Sequence, residues 1–244
     1  MWCARLVVPL FCRLRVTGDI PAELRGRSFI LASNHIGTFD PIALSAVCAR
    51  LGVSPRILAT GGLFRAPVVG AVMRRCGHVR VDRRQSSVTE TLGASVDAVR
   101  EGSVVAGYPE GGITLDPGMW PERGRTGIAR LALATGAPVV PVSQWGAHEV
   151  LTWVSASAMA GRLFRSLFRR PVVKICFGPP VDLAGLVADT PGHARQATDR
   201  IMVAITAGLQ PMRRDEPALP RYIDPTRPVS VARSRVRPGQ SARA

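Results

Sequence analysis

Apolar residues in this chain come in short runs cut by glycine, proline and polar turns, and the runs keep two different periods. Six read as strands: residues 14–18, 29–32, 56–60, 103–108, 139–144 and 172–177. Between them lie stretches of helical period. Residues 41–51 form an apolar helix stopped by Gly52, 88–101 an amphipathic one, 127–135 one that ends at Gly136, and 194–209 a closing helix. Residues 63–77 are punctuated by glycine and proline, carry Phe64, Val68, Val69, Val72 and Met73, and run into 79–83. Strands alternating with helices predict a single α/β domain over 16–210, with a central mixed sheet flanked by helices.

The two ends depart from this pattern. Trp2, Leu6, Val7, Leu10, Phe11 and Leu14 stand at roughly helical spacing beside Arg5, Arg13 and Arg15, while Pro9 weakens a helix there. Seven residues between Arg5 and Arg13 are too few to span a bilayer, and a secretory signal needs a longer apolar core. Residues 1–15 therefore read as a segment lying on a membrane, a strand edge or a core element. Residues 151–170 pass from apolar to basic, with Arg162, Arg165, Arg169 and Arg170, which suits either an anionic lipid surface or a solvated helix face. From 211 to 244 prolines and arginines dominate without apolar period, predicting a disordered basic tail.

Candidate chemistry concentrates where the run 29–32 breaks into Ser33-Asn-His-Ile-Gly-Thr-Phe-Asp-Pro41. His35 falls at a strand's C-terminal end, the edge at which ligands gather in open α/β sheets, and imidazole can take a hydroxyl proton near neutral pH. Asp40, five residues on and past Gly37, is close enough to fold back and orient the ring. Asp40-Pro41 is equally an ordinary helix start, with Asp as N-cap and Pro first in the helix, and His35 alone is equally a solvated turn residue.

Composition narrows the field. The chain has 244 residues, enough for one α/β domain, and five cysteines with no C-x-x-C pair, which points to reduced thiols in a cytoplasmic protein. Cys76-Gly-His78 is a weaker nucleophile candidate. Net charge is +15, and Lys174 is the single lysine among 32 basic residues. Ile175 follows it, so no Walker A loop exists, and there is no G-x-S-x-G, H-E-x-x-H or G-x-G-x-x-G motif. No metal site or cofactor is implied. The basic balance permits an anionic membrane surface, nucleic acid or an anionic substrate. Aromatic residues are only 5%, without a nucleic-acid-binding signature, so no specific nucleic acid is expected.

The block Asn34 to Pro41, Asn-His-x-x-x-x-Asp-Pro, resembles the first motif of the PlsC-like glycerolipid acyltransferases, the lysophosphatidic acid acyltransferase family. Arg65, Pro67, Gly70 and Gly77 through Val81-Asp-Arg83 resemble the second block, Tyr108-Pro-Glu-Gly111 the third, and Ala137-Pro-Val-Val-Pro-Val142 the fourth. The resemblance covers about residues 28–180 and keeps the family's order. It implies acyl transfer from an acyl-CoA or acyl carrier protein thioester to the hydroxyl of a lysophospholipid acceptor, lysophosphatidic acid, at the inner face of the cell membrane, with no further cofactor. His35 would be the general base and Asp40 its orienter, with Asn34, Arg83, Glu110, Gly111 and Gly112 binding substrate. Where the family has Glu-Gly-Thr-Arg, this chain has Glu110-Gly-Gly-Ile113, and the phosphate-holding arginine is absent. Arg125, ahead of the helix start at Thr126-Gly127, is the expected substitute beside Arg83. The same departure leaves glycerol 3-phosphate or a glycolipid open as acceptor, and a non-catalytic basic membrane or nucleic-acid binder is the remaining alternative.

Overall fold

The computed structural model describes residues 2–81, 88–151 and 156–214. In chain order its elements are α1 (Trp2–Phe11), β1 (Arg13–Thr17), a 3-10 turn (Ala22–Leu24), β2 (Ile30–Ser33), α2 (Asp40–Arg50), β3 (Arg56–Thr60), α3 (Gly61–Arg65), α4 (Pro67–Arg75), β4 (Val79–Val81), α5 (Val88–Arg100), β5 (Val105–Gly107), α6 (Gly127–Thr135), β6 (Val139–Trp145), α7 (Ala147–Val150), α8 (Ala156–Arg169), β7 (Val172–Phe177) and α9 (His193–Met212).

The seven strands form one mixed sheet in the order β1-β7-β6-β2-β5-β3-β4. Every pairing is parallel except β6 with β7. Ile30, Leu31, Ala32 and Ser33 are all buried because β2 lies mid-sheet with helices on both faces, which is why its sequence is a continuous apolar run rather than an alternation. Leu31 joins a core with Val8 of α1, Cys12 just after that helix, Leu44 and Val47 of α2, and Val150 of α7. Ile30 and Ala32 face the other core, against Val99 of α5, Leu131 of α6 and Ile201 and Ile205 of α9. Each fully buried Leu or Ile stabilises by ~1.5 to 3 kcal/mol, so this two-sided burial fixes β2, and with it the loop that follows.

Two expectations are revised, and among the alternatives for 1–15 the strand edge and core element are the ones the structure takes. Residues 63–77, punctuated in sequence, form two helices: Ala66 is extended at φ −66 and ψ 129, and Pro67 starts α4, where its missing N–H is not needed. The segment 1–15 is built into the domain, since α1 packs on α2, Val8 and Cys12 are buried, and β1 begins at Arg13 in register with Val172. At the other end α9 continues through Pro211 to Met212, whose carbonyl accepts from Lys174 Nζ at 2.6 Å. The next residue, Arg213, is buried, so the folded unit extends past 210. Arg83 and the stretch 215–244 lie outside the described residues. Among the described residues, no helix is long and apolar enough to cross a membrane.

Candidate active site

β2 ends at Ser33, and the next two residues are gripped from different directions. Asn34, fully buried, donates from Nδ2 to the Gln144 carbonyl at 3.0 Å and accepts from the Gln144 N–H at 2.7 Å. Its amide thus clips the end of β2 to the end of β6, and the Gln144 side chain adds a bond from Nε2 to Ser33 Oγ at 2.9 Å. Both ends of the Asn34 amide are thus held by neighbouring backbone, which positions the loop.

The main chain of His35 is held by the loop after β5. Its N–H donates to Glu110 Oε1 at 2.9 Å, and its carbonyl accepts from the Thr114 N–H at 2.7 Å. Glu110 Oε2 takes the N–H of Glu122, also at 2.9 Å. Both carboxyl oxygens of Glu110 therefore hold backbone N–H groups inside the protein. Burial pushes its carboxyl up to about 8, against the two backbone N–H groups that favour the charged form, and the nearby Glu122 and Asp40 carboxylates add to the rise.

The ring of His35 is held separately. Nδ1 lies 2.8 Å from Asp40 Oδ2, which also accepts the N–H groups of Ile36 at 2.6 Å and Gly37 at 2.8 Å. A carboxylate only accepts, so Nδ1 carries the proton of this bond, and in the neutral ring Nε2 is the nitrogen with the free lone pair. Asp40 is 0% exposed while the His35 side chain is 17% exposed, so the pair is anchored inside and open at one edge. Tyr108 closes the other side of the ring, stacked at 4.2 Å between centroids and 22° between planes. The helix-start reading of Asp40 is not what the carboxylate does: the N-cap of α2 is Phe39, without a side-chain cap bond. Gly37 is needed for close approach, since a Cβ there would lie 3.2 Å from the His148 Cα.

Gly111 is in the left-handed region at φ 73 and donates to the Tyr108 carbonyl at 2.8 Å, closing the turn that aims Glu110 inward. Gly112 is exposed, and a Cβ there would meet nothing within 4 Å. Arg125 is exposed too, but its N–H donates to the Pro109 carbonyl at 2.7 Å, which brings this residue to the same turn. The structure thus draws His35, Asp40, Asn34, Glu110, Gly111, Gly112 and Arg125 to the C-terminal edge of β2, β5 and β6. Cys76-Gly-His78 is elsewhere, with His78 Nδ1 accepting the Ile57 N–H at 3.0 Å. Reading the sequence for reactive groups missed Tyr108, Thr114 and Gln144 as site builders. Gln144 left a signal: it is a polar residue in β6, a strand buried at every position.

A family model described as Acyltransferase matches residues 13–145, 133 of 244. A chloroplastic 1-acyl-sn-glycerol-3-phosphate acyltransferase of Brassica napus is 27% identical over 155 residues, 63% of this chain and 42% of that protein. An uncharacterized protein of Mycobacterium tuberculosis strain H37Rv is 28% identical over 229 residues, 79% of this chain and 60% of that one. The chain therefore spans 42% and 60% of the lengths of these two relatives. The crystal structure of the 1-acyl-sn-glycerophosphate acyltransferase PlsC from Thermotoga maritima superposes with a TM-score of 0.59 at 20% identity, covering 84% of this chain and 73% of that one, and shares the fold. The matched region takes in the His35–Asp40 pair, the turn at Glu110 and the Asn34–Gln144 clip, and the chain belongs to the acyltransferase family.

Proposed function

We propose that this chain transfers a fatty acyl group from a thioester, acyl-CoA or acyl carrier protein, to the free hydroxyl of a lysophosphatidic acid, making phosphatidic acid. The observation that carries the reading is the His35–Asp40 pair: one ring nitrogen fixed at 2.8 Å by a buried carboxylate, the ring edge open at the strand end. His35 Nε2 takes the acceptor's hydroxyl proton as that oxygen attacks the thioester carbonyl. Asp40 stabilises the imidazolium that forms. The exposed Gly112 amide, or water at the mouth of the site, supports the developing oxyanion. Collapse breaks the carbon–sulfur bond, and the leaving thiolate takes the proton from His35, which restores the base.

Arg125, and Arg83 from outside the described residues, would face the acceptor's phosphate. Ile113 in place of the family's arginine favours a second reading, the same transfer to glycerol 3-phosphate or a glycolipid.

The test is incubation of purified protein with lysophosphatidic acid, glycerol 3-phosphate and a glycolipid, each with both donor types, and identification of products by mass. An acylated lysophosphatidic acid product that disappears with His35→Ala is expected. Wild-type turnover in folded His35→Ala would remove the mechanism, and acylation of only another acceptor would replace the substrate.

A further inference from the structure

α8 is amphipathic the wrong way round for a helix on a water-soluble surface. Ser166, a polar residue, is buried with its hydroxyl on the Val150 carbonyl at 3.3 Å. Phe164 and Phe168 are 65% and 75% exposed, and Leu167 is exposed beside them. The two rings meet edge to face at 5.3 Å, so they form one apolar ridge rather than two scattered side chains. Positions 164, 167 and 168 share a helix face, and Arg165 and Arg169, both exposed, run along one flank of it.

α1 packs against α8 and also exposes large apolar residues, Leu6 and Leu10. Hydrogen bonds lock the two helix ends together. Arg170 donates to the Pro9 carbonyl at 2.7 Å, and Arg13 donates to the Arg170 carbonyl at 3.2 Å. α8 is also coupled to the active-site loop. Gly37 lies against His148, Thr38 Oγ1 donates to the Leu151 carbonyl at 3.4 Å, and Val150 receives Ser166.

We propose that α8, with α1 beside it, lies in the plane of an anionic lipid surface, Phe164, Leu167 and Phe168 entering the acyl boundary and Arg165 and Arg169 resting on acidic headgroups. An apolar stripe edged by arginine is the pattern of an interfacial helix. Charge selects lipid over the other occupants of such a face. A second copy docked symmetrically would set these arginines against their own counterparts. The chain's own stretch beyond residue 214 carries six arginines against Asp215, Glu216 and Asp224, so it has the same sign. An acidic bilayer supplies both the apolar depth and the opposite charge, and holds the site's edge where a lipid acceptor would be found. The inference rests on the acyl-transfer reading only for that last point.

The test is co-sedimentation of the full chain with phosphatidylglycerol-rich vesicles and with pure phosphatidylcholine vesicles, at low and high salt. Wild type is expected to bind the acidic vesicles and to weaken with salt. Phe164→Ser/Phe168→Ser should lower affinity by ~100-fold, from the apolar area left out of the bilayer. Arg165→Glu/Arg169→Glu should remove the preference for acidic lipid. All four side chains are exposed, so cooperative unfolding should be retained. Absence of wild-type binding, or binding by both double variants as tight as wild type, overturns the proposal. So does a wild-type dimer that Phe164→Ser/Phe168→Ser splits, which would give the face to a second copy. Sedimentation is read without turnover, so failure of the catalytic reading leaves this result intact.

Discussion

At the scale of single residues, one oxygen organises the site. Asp40 Oδ2 receives three N–H groups, two from the backbone and one from the His35 ring. The loop from His35 to Gly37 is therefore folded around the same carboxylate that holds the His35 ring, and shape and chemistry are separable only by a substitution that keeps one and removes the other. Asp40→Asn does this. Its carbonyl oxygen can still accept all three N–H groups, at a cost of ~1 to 3 kcal/mol for a buried amide NH2 left without an acceptor. Its charge is gone, so the imidazolium formed during transfer has no counter-ion. Steady-state kinetics should show kcat reduced by ~100-fold or more with little change in KM, while thermal unfolding stays cooperative. Unchanged kcat in this variant would reduce Asp40 to a loop holder.

At the scale of elements, the site is made where loops after β2, β5 and β6 meet, and Glu110 is the joint between two of them. Its carboxyl titrates near 4.5 when unfolded and at about 8 when folded, so the native state binds the proton more tightly. Its contribution to stability is full below about pH 4.5, where both states are protonated, and is lost as pH rises to about 8. Above that, both states are ionised and this slope ends. Glu110→Gln cannot titrate and offers one acceptor in place of two. Urea unfolding at mildly acidic and mildly alkaline pH should find wild type losing more stability on going up than the variant does, with the variant ~1 kcal/mol or more weaker at the acid end. Equal slopes in the two proteins would place the pH dependence elsewhere.

The same scale shows what was legible in the chain. β3, α6 and β7 begin and end where their patterns predict, because each is bounded by glycine, proline or a clean change of period. Gly136 takes the left-handed turn that closes α6, at φ 67. α3 and α4 were hidden because one period is broken by Ala66-Pro67. The antiparallel placement of β7 was also hidden, since strand direction depends on the path of the connecting chain rather than on any residue in the strand. Within the site, the His35–Asp40 contact was legible because histidine and aspartate are reactive residue types and stand at a short spacing. Asn34 and Glu110 were legible as positions, but the groups they hold were not. Their partners are the backbone groups of Gln144, Glu122 and His35, and the Asn34–Gln144 and Glu110–His35 contacts span 110 and 75 residues, so neither leaves a local pattern.

At the scale of the whole molecule, the residue that follows α9 ties that helix to the site. The Arg213 guanidinium lies 3.9 Å from the Trp145 ring centroid and 4.2 Å from that of Trp120, between the end of β6 and the loop after the Glu110 turn. Its Nη2 donates to the Gly118 carbonyl at 2.7 Å, a contact across 95 residues. The loop it holds is the one that reaches the base: the Trp120 carbonyl accepts from Thr114 Oγ1 at 2.8 Å, and the Thr114 N–H holds the His35 carbonyl. A planar cation lying over two indoles stacks on them, and lysine, with a compact ammonium, cannot reproduce that contact. Arg213→Ala should therefore destabilise by ~2 to 4 kcal/mol, from the lost stacking and charged hydrogen bond together. In a chain of this size that is a fall in Tm of roughly 5 to 15 °C, and Arg213→Lys should recover only part of it. The stack also touches two of the four tryptophans, so both substitutions should shift tryptophan emission in the folded state. Arg213→Ala with wild-type Tm and emission would mean that α9 ends independently of the site, and that the His35 loop is held by the strand ends alone.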